Sequence, residues 1–298
     1  MRALLIGTTA VLLLTAYTLA LFTLLAPLIL LKLLTRPLPP IKPLDAAVVA
    51  LADTWNRLNA AGLQWASSTR WQVHLPPDLS QHAWYLVVCN HQSWVDILVL
   101  QKVFNRRIPL LRFFLKRQLF WVPLLGLAWW ALDFPFMGRY TPKQVARRPE
   151  LARRDIEATR RACGKFSAIP VSIMNFVEGT RFTVAKHAAQ GAPYQHLLKP
   201  KSGGVAFVLD AMGAGLHAIL DVTIVYPAGR PSLLDLLANR IPAVHVQVRQ
   251  REIPPALIHG DYQGDRGFRA GFQQWINGIW REKDADVATM LAGSAHRA

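Results

Sequence analysis

The chain has 298 residues, with 34 Lys and Arg against 18 Asp and Glu for a formal charge of +16, and 52% of it is hydrophobic. That apolar content excludes a disordered tail. The two cysteines exclude a disulfide framework and make a reducing compartment the expectation, and nine histidines with no cluster at ligand spacing offer no metal centre. The positive excess leaves open a partner with an anionic surface, nucleic acid or lipid.

Residues 3–31 form a run of 29 without a charge, which as a helix is about 44 Å long against a ~30 Å hydrocarbon core. Such a segment can span a bilayer, or kink at Pro27 and lie partly in one leaflet. It is too long for the apolar core of a secretory signal and lacks a small-x-small cleavage site, so a retained anchor is expected. Lys32, Arg36 and Lys42 after the run, against Arg2 before it, place the bulk of the chain on the cytoplasmic side, at the inner membrane if the cell is bacterial. After a Pro-rich break at 36–43, residues 44–68 read as an amphipathic helix through Val48, Leu51, Trp55 and Leu58. Residues 1–68 are therefore expected to form a membrane-seated two-helix element ahead of a second unit, 69–298.

In that unit, residues 71–75, 84–89, 168–176, 219–226 and 244–248 read as strands, the last with one wet face. Residues 95–104, 110–119, 142–162, 203–211 and 266–291 read as helices. The pattern predicts an α/β fold with a central mixed sheet flanked by helices. Residues 122–136 are apolar but short for a second span, which makes them a buried or leaflet-inserted element. Arg106, Arg107, Arg112, Lys116 and Arg117, then Lys143 to Lys165, supply much of the basic surface. With an anchor and ten tryptophans present, lipid is preferred over nucleic acid as its partner.

Two short segments carry the chemistry. In Asn90-His91-Gln92-Ser93-Trp94-Val95-Asp96, His91 sits on the turn that leaves a buried strand and Asp96 on the first turn of the next helix. Ser93 three residues before Asp96 fits a capping pattern that aims the carboxylate back toward His91. A His-Asp dyad results, in which the carboxylate fixes the imidazole tautomer and stabilises the imidazolium. By itself a His-x4-Asp spacing arises by chance too readily to stand alone, and Asp96 could be only a helix cap. Cys89, inside the strand, reads as a structural thiol. The second segment, Glu178-Gly179-Thr180-Arg181, offers an anion site.

With that second segment behind it, the first resembles the glycerolipid acyltransferase superfamily, whose type member is 1-acylglycerol-3-phosphate acyltransferase. Four blocks match in order: residues 90–96; Phe134-Pro135-Phe136-Met137-Gly138-Arg139; Val177 through Phe182; and Val222-Thr223-Ile224-Val225-Tyr226-Pro227. Lys116, in Leu115-Lys116-Arg117-Gln118-Leu119, corresponds to the family's lysine segment, with Gln118 departing from a more usual acidic residue. The resemblance spans about residues 70–230, and the tract 182–204 is similar to the lysophospholipid and lysocardiolipin branch.

The resemblance implies acyl transfer from a thioester to the free hydroxyl of 1-acylglycerol-3-phosphate or a related lysophospholipid. Acyl-coenzyme A or acyl carrier protein would be the co-substrate, with no other cofactor. His91 would be the general base and Asp96 its orienting partner. Lys116 or a backbone N–H near His91 would stabilise the oxyanion. Arg139 and Arg181 would grip the acceptor phosphate, aided by Thr180, by close backbone approach at Gly179, and by Glu178 positioning an arginine or a glycerol hydroxyl. The residues also admit a lipid esterase or thioesterase using the same dyad, and a noncatalytic binder of anionic lipid.

Overall fold

A computed structural model describes the chain apart from Met1, Pro37, Pro40, residues 139–146, Pro149, residues 151–156, 158–163 and 165–168, His259 and residues 296–298. The expected helix over 142–162 and the basic run around it lie largely outside the described residues, as do Cys163 and Arg139.

Five-residue apolar runs with β-branched side chains build the centre. Strand β2 (Tyr85–Cys89) is buried along its whole length, and its alternating side chains feed two cores, as the period of a strand requires. Tyr85, Val87 and Cys89 pack toward helix α3 (Val95–Phe104), while Leu86 and Val88 pack on the other face. That second face is covered by two helices, Gly203–Met212 and Arg266–Ala295.

The main sheet runs β1-β8-β7-β2-β6-β3, where β1 is Arg70–His74, β3 Leu111–Phe113, β6 Ser172–Phe176, β7 Ala218–Val225 and β8 Ala243–Arg251. Strands β3, β6, β2 and β7 are mutually parallel, and β8 joins β7 antiparallel with β1 parallel to β8. The chain leaves β2 toward β3, then crosses from β6 to β7 on the other side of β2. The carboxyl end of β2 is thus a topological switch point, where open α/β sheets place their ligands.

A separate pair, β4 (Leu115–Lys116) with β5 (Phe136–Met137), extends beyond β3. The expected helix over 110–119 forms only as a 3-10 turn at Arg117–Trp121: Leu111, Phe113 and Leu115 follow a period of two, and strand pairing with β6 and β5 overrides helix propensity. Arg112 is likewise not a surface charge. It is buried, and its Nε donates to the carbonyl of Leu132 at 2.8 Å. The strand expected to have one wet face, β8, is covered there by the C-terminal helix, where Arg249 pairs with Asp286 at 2.6 Å.

Helix α1 (Arg2–Leu34) continues through Pro27 and packs antiparallel on α2 (Lys42–Ala66). Trp55 Nε1 donates to Thr18 Oγ1 at 3.0 Å, and the Tyr17 hydroxyl bonds Asn59. Leu25, Ile29 and Val48 share a core with Ala131, Leu132 and Phe134 in and after helix α4 (Leu125–Ala131). Residues 122–136 are therefore partly buried, while Trp121 beside them is 81% exposed. Lys32 closes the end of the hairpin, bonding Asp45 at 2.8 Å and both Asp133 and the Ala131 carbonyl at 2.7 Å. Gly7–Leu34 is long and apolar enough to cross a membrane, and only 11% of its most apolar stretch is buried.

Candidate active site

The expected segments leave the carboxyl ends of neighbouring parallel strands: His91 follows β2, Glu178 to Arg181 follow β6, and Tyr226 to Arg230 follow β7. Lys116 lies just past β3, on β4. One end of the sheet therefore gathers three of the four blocks and the lysine segment. A cleft of about 340 Å³ lined by Leu75, Pro77, Arg106 and Arg107 lies past the end of β1, which runs opposite to β2, and so sits at the other end.

The first block is fixed from underneath by Asn90. Its side chain accepts from Ile224 N and donates to Ile224 O, both at 2.9 Å, continuing the β2–β7 pairing with a side chain in place of backbone. The next residue, His91, meets Asp96 through Nδ1 to Oδ2 at 2.9 Å. The same Oδ2 accepts the backbone N–H groups of Gln92 at 2.7 Å and Ser93 at 2.9 Å, and Oδ1 accepts the Tyr226 hydroxyl at 2.7 Å. Asp96 is 0% exposed, yet its carboxylate takes four donors, which is what a buried anion needs.

The capping expectation holds for the carboxylate half only. Ser93 directs its hydroxyl to the Pro231 carbonyl at 2.5 Å and accepts from Val95 N, and Trp94 occupies the cap position. The His91 ring lies on Phe176, centroids 3.8 Å apart and 13° from parallel. With Nδ1 held and one face covered, Nε2 makes no hydrogen bond among the described residues.

The turn after β6 needs a glycine. Gly179 N bonds Phe176 O at 2.8 Å, and Gly179 stands at φ 69°, where a Cβ would also come within 3.2 Å of the Lys201 side chain. This turn is stitched to the first block by Phe182 N donating to His91 O at 2.8 Å. Arg181 lays its guanidinium over Trp94 at 4.3 Å, and Thr180 Oγ1 accepts Lys186 Nζ at 2.7 Å. Lys186 and Lys201 thus add charge beside Thr180 and Gly179.

Glu178 does not lie on that exposed rim. It is 1% exposed, and burial pushes its carboxyl pKa up to about 8. The His91 and Leu198 backbone N–H groups, the Lys283 ammonium and the Trp280 indole oppose that rise, although neither carboxyl oxygen meets a partner at hydrogen-bond geometry. Glu178 is therefore predominantly the neutral acid at pH 7, set behind the backbone of His91. Lys116 is exposed, and its register partner in β5 is Met137, so the lysine segment lies beside the strand inside the second block. Arg139, the last residue of that block, lies outside the described residues.

Four participants carry no sequence signal of their own. Tyr226 and Asn90 lie inside matched blocks, but nothing in the spacing shows that the first bonds Asp96 and the second Ile224. Arg230 follows Gly229, which stands at φ 101°, a conformation open to glycine. Its Nε donates to Gln92 Oε1 at 2.9 Å and its guanidinium lies 3.8 Å over Phe182. Lys283, on the C-terminal helix, is 0% exposed and pairs with buried Asp221 at 2.5 Å, donating also to Val222 O. Cys89 is buried within β2, and burial pushes its thiol well up, away from nucleophilic use. No group of three or more potential ligands stands together for a metal among the described residues.

The Acyltransferase family model matches residues 70–227, more than half of the chain, and covers the first, third and fourth blocks together with the second. The chain belongs to this acyltransferase family. It is 26% identical over 214 residues to a mouse protein named 1-acyl-sn-glycerol-3-phosphate acyltransferase epsilon, covering 63% of this chain and 56% of that one. It is 28% identical over 221 residues to human 1-acyl-sn-glycerol-3-phosphate acyltransferase gamma, covering 69% and 52%. A zebrafish (Danio rerio) protein named lysocardiolipin acyltransferase 1 is 31% identical over 127 residues, covering 39% and 30%. The chain spans about half the length of the first two. Among solved structures it is similar to the 1-acyl-sn-glycerophosphate acyltransferase PlsC of Thermotoga maritima, at 16% identity and a TM-score of 0.49, covering 91% of this chain and 95% of that one.

Proposed function

We propose that this chain moves a fatty acyl group from an acyl thioester to the free hydroxyl of 1-acylglycerol-3-phosphate or a related lysophospholipid at a membrane surface. The observation that carries the reading is the His91–Asp96 pair at the carboxyl end of β2, its outer nitrogen unoccupied and a guanidinium stacked beside it on Trp94.

In this reading His91 Nε2 takes the proton of the acceptor hydroxyl as the oxygen attacks the thioester carbonyl. The imidazolium formed is stabilised by the Asp96 carboxylate that holds Nδ1. The tetrahedral oxyanion is met by Lys116 or by a backbone N–H near His91. Collapse expels the thiolate, which takes the proton from His91, leaving an ester and a free thiol. Acyl-coenzyme A and acyl carrier protein both fit this step as donor. Arg181, with Arg139, binds the acceptor phosphate, and Gly179 and Thr180 shape the turn that carries Arg181. Glu178 acts from behind, packed against the backbone of His91.

Two contacts, one near each end of α1, support a placement in one leaflet of the membrane. A Cβ on Gly7 would stand 3.0 Å from the backbone oxygen of Leu237, and Lys32 bonds Asp133, so one folded unit touches the helix near each end. A helix crossing the bilayer would separate those ends by ~30 Å of hydrocarbon. In our reading α1 lies in one leaflet, with the sheet on the cytoplasmic side favoured by Lys32, Arg36 and Lys42.

The test is an acceptor panel. Full-length protein in lipid or detergent receives one labelled acyl donor and several lysolipids, and products are separated by head group. Labelled diacyl product supports the proposal. Labelled free fatty acid with every acceptor would replace it with a hydrolase.

A further inference from the structure

Arg230 lies beyond the family match and takes no part in the dyad. Yet it is held by three separate restraints: the turn at Gly229, the hydrogen bond from its Nε to Gln92, and the stack of its guanidinium on Phe182. Gln92 adjoins His91, and Phe182 adjoins Arg181. Arg181 is held in a similar way, over Trp94, three residues from His91. Two guanidinium groups thus lie on aromatic faces that belong to the same two segments around the proposed base.

Neither is ion-paired with a carboxylate, although buried Glu178 acts on Arg230 through space. Among the described residues no ion pair engages Arg181 or Arg230, and the terminal nitrogens of Arg230 have no hydrogen-bond partner. Stacking fixes the plane of a guanidinium while leaving its N–H edge open, the arrangement suited to two-point contact with phosphate oxygens. A lone surface arginine serving only solubility would need none of these restraints, since ordering a long side chain costs entropy.

Resting on the transferase reading above, we propose that Arg230 is a specificity-determining residue of the acceptor site. Together with Arg181 it forms a two-guanidinium clamp that selects a phosphate monoester head group over a phosphate diester. A monoester presents three terminal oxygens and up to two negative charges, enough to engage both cations. A diester presents two oxygens and one charge, and its second substituent takes the place of the third oxygen. Phosphates on a coenzyme A donor share this chemistry, so the experiment must separate the two sources.

Full-length wild-type protein, Arg230→Lys and Arg230→Gln are compared in three saturation series: 1-acylglycerol 3-phosphate, 1-acylglycerol-3-phosphoglycerol, and acyl-coenzyme A. Equilibrium binding of the two lysolipids to detergent-solubilised protein is measured in parallel. For Arg230→Gln the monoester KM is expected to rise about 10- to 100-fold, the loss of a charged hydrogen-bonded contact, with the diester and donor KM values changed less than about 3-fold. Arg230→Lys should fall between. An unchanged monoester preference, an equal loss for both acceptors, or a rise confined to the donor KM would overturn the proposal. If the wild type transfers no acyl group but binds the monoester in an Arg230-dependent way, the clamp stands and the transferase reading falls. If it neither transfers nor shows such binding, both fall.

Discussion

The Tyr226 hydroxyl donates to Asp96 Oδ1 across 2.7 Å, between residues 130 positions apart, so the carboxylate that holds His91 is itself held from the neighbouring strand. Oδ2 faces the His91 loop and Oδ1 faces β7. Burial and the adjacent carboxylate both push the Tyr226 hydroxyl pKa well up, keeping it a donor across the working range.

Tyr226→Phe leaves Oδ1 buried without a donor. Stability should fall by about 1–3 kcal/mol, and turnover should drop by roughly tenfold as Asp96 loses its fixed orientation. Denaturant melts and steady-state rates on the same preparation check this. A variant that loses stability at unchanged turnover would show that the contact is purely structural.

Asp96→Asn separates charge from shape. An amide can turn its oxygen toward the three N–H groups that meet Oδ2 and its NH₂ toward Tyr226, so folding should survive. What goes is the negative charge that stabilises the imidazolium in the proposed mechanism, and kcat should fall by about 10²- to 10⁴-fold. The thermal midpoint and the rate, measured side by side, distinguish this from unfolding.

How much of this arrangement the sequence reveals depends on distance along the chain. His91 and Asp96 are five residues apart on one turn and one helix start, so their meeting is legible locally. The strands at 85–89 and 219–226 are legible as apolar runs with turn residues after them. Which strand lies beside which is not, because parallel neighbours are joined by long crossovers. That hides Tyr226 on Asp96, Asn90 on Ile224 and Arg230 on Phe182 alike. Residues 110–119 mislead for a related reason: the burial of Arg112 depends on the Leu132 carbonyl, twenty residues on. Ser93 misleads because Pro231 competes for its hydroxyl.

Glu178→Gln tests the neutral acid. The folded carboxyl has its pKa raised from an ordinary 4.5 to about 8. Between those values the folded chain binds a proton that the unfolded chain has released. Its contribution to stability is therefore full below about pH 4.5 and is lost as pH rises through about 8, at up to ~1.4 kcal/mol per pH unit. Subtracting the Glu178→Gln profile from the wild-type profile between pH 5 and 8 should leave this decline. Parallel profiles would mean that Glu178 is ionised in the folded protein.

Lys283→Met removes a fully buried cation. Asp221 keeps Arg251 at 2.9 Å but loses its closer partner, and the carbonyl of Val222 loses a donor. A destabilisation of about 3–5 kcal/mol is expected, since half of a buried pair is left behind. Urea titration measures it. A loss under about 1 kcal/mol would show that Arg251 satisfies Asp221 alone.

The most direct measurement is acyl transfer by His91→Ala, using labelled donor and 1-acylglycerol 3-phosphate, with circular dichroism and acceptor binding recorded on the same sample. Loss of a general base predicts a fall in turnover of at least ~10²-fold, with folding and acceptor binding retained. Turnover near the wild-type rate in a folded variant would contradict the assignment of His91 as the base.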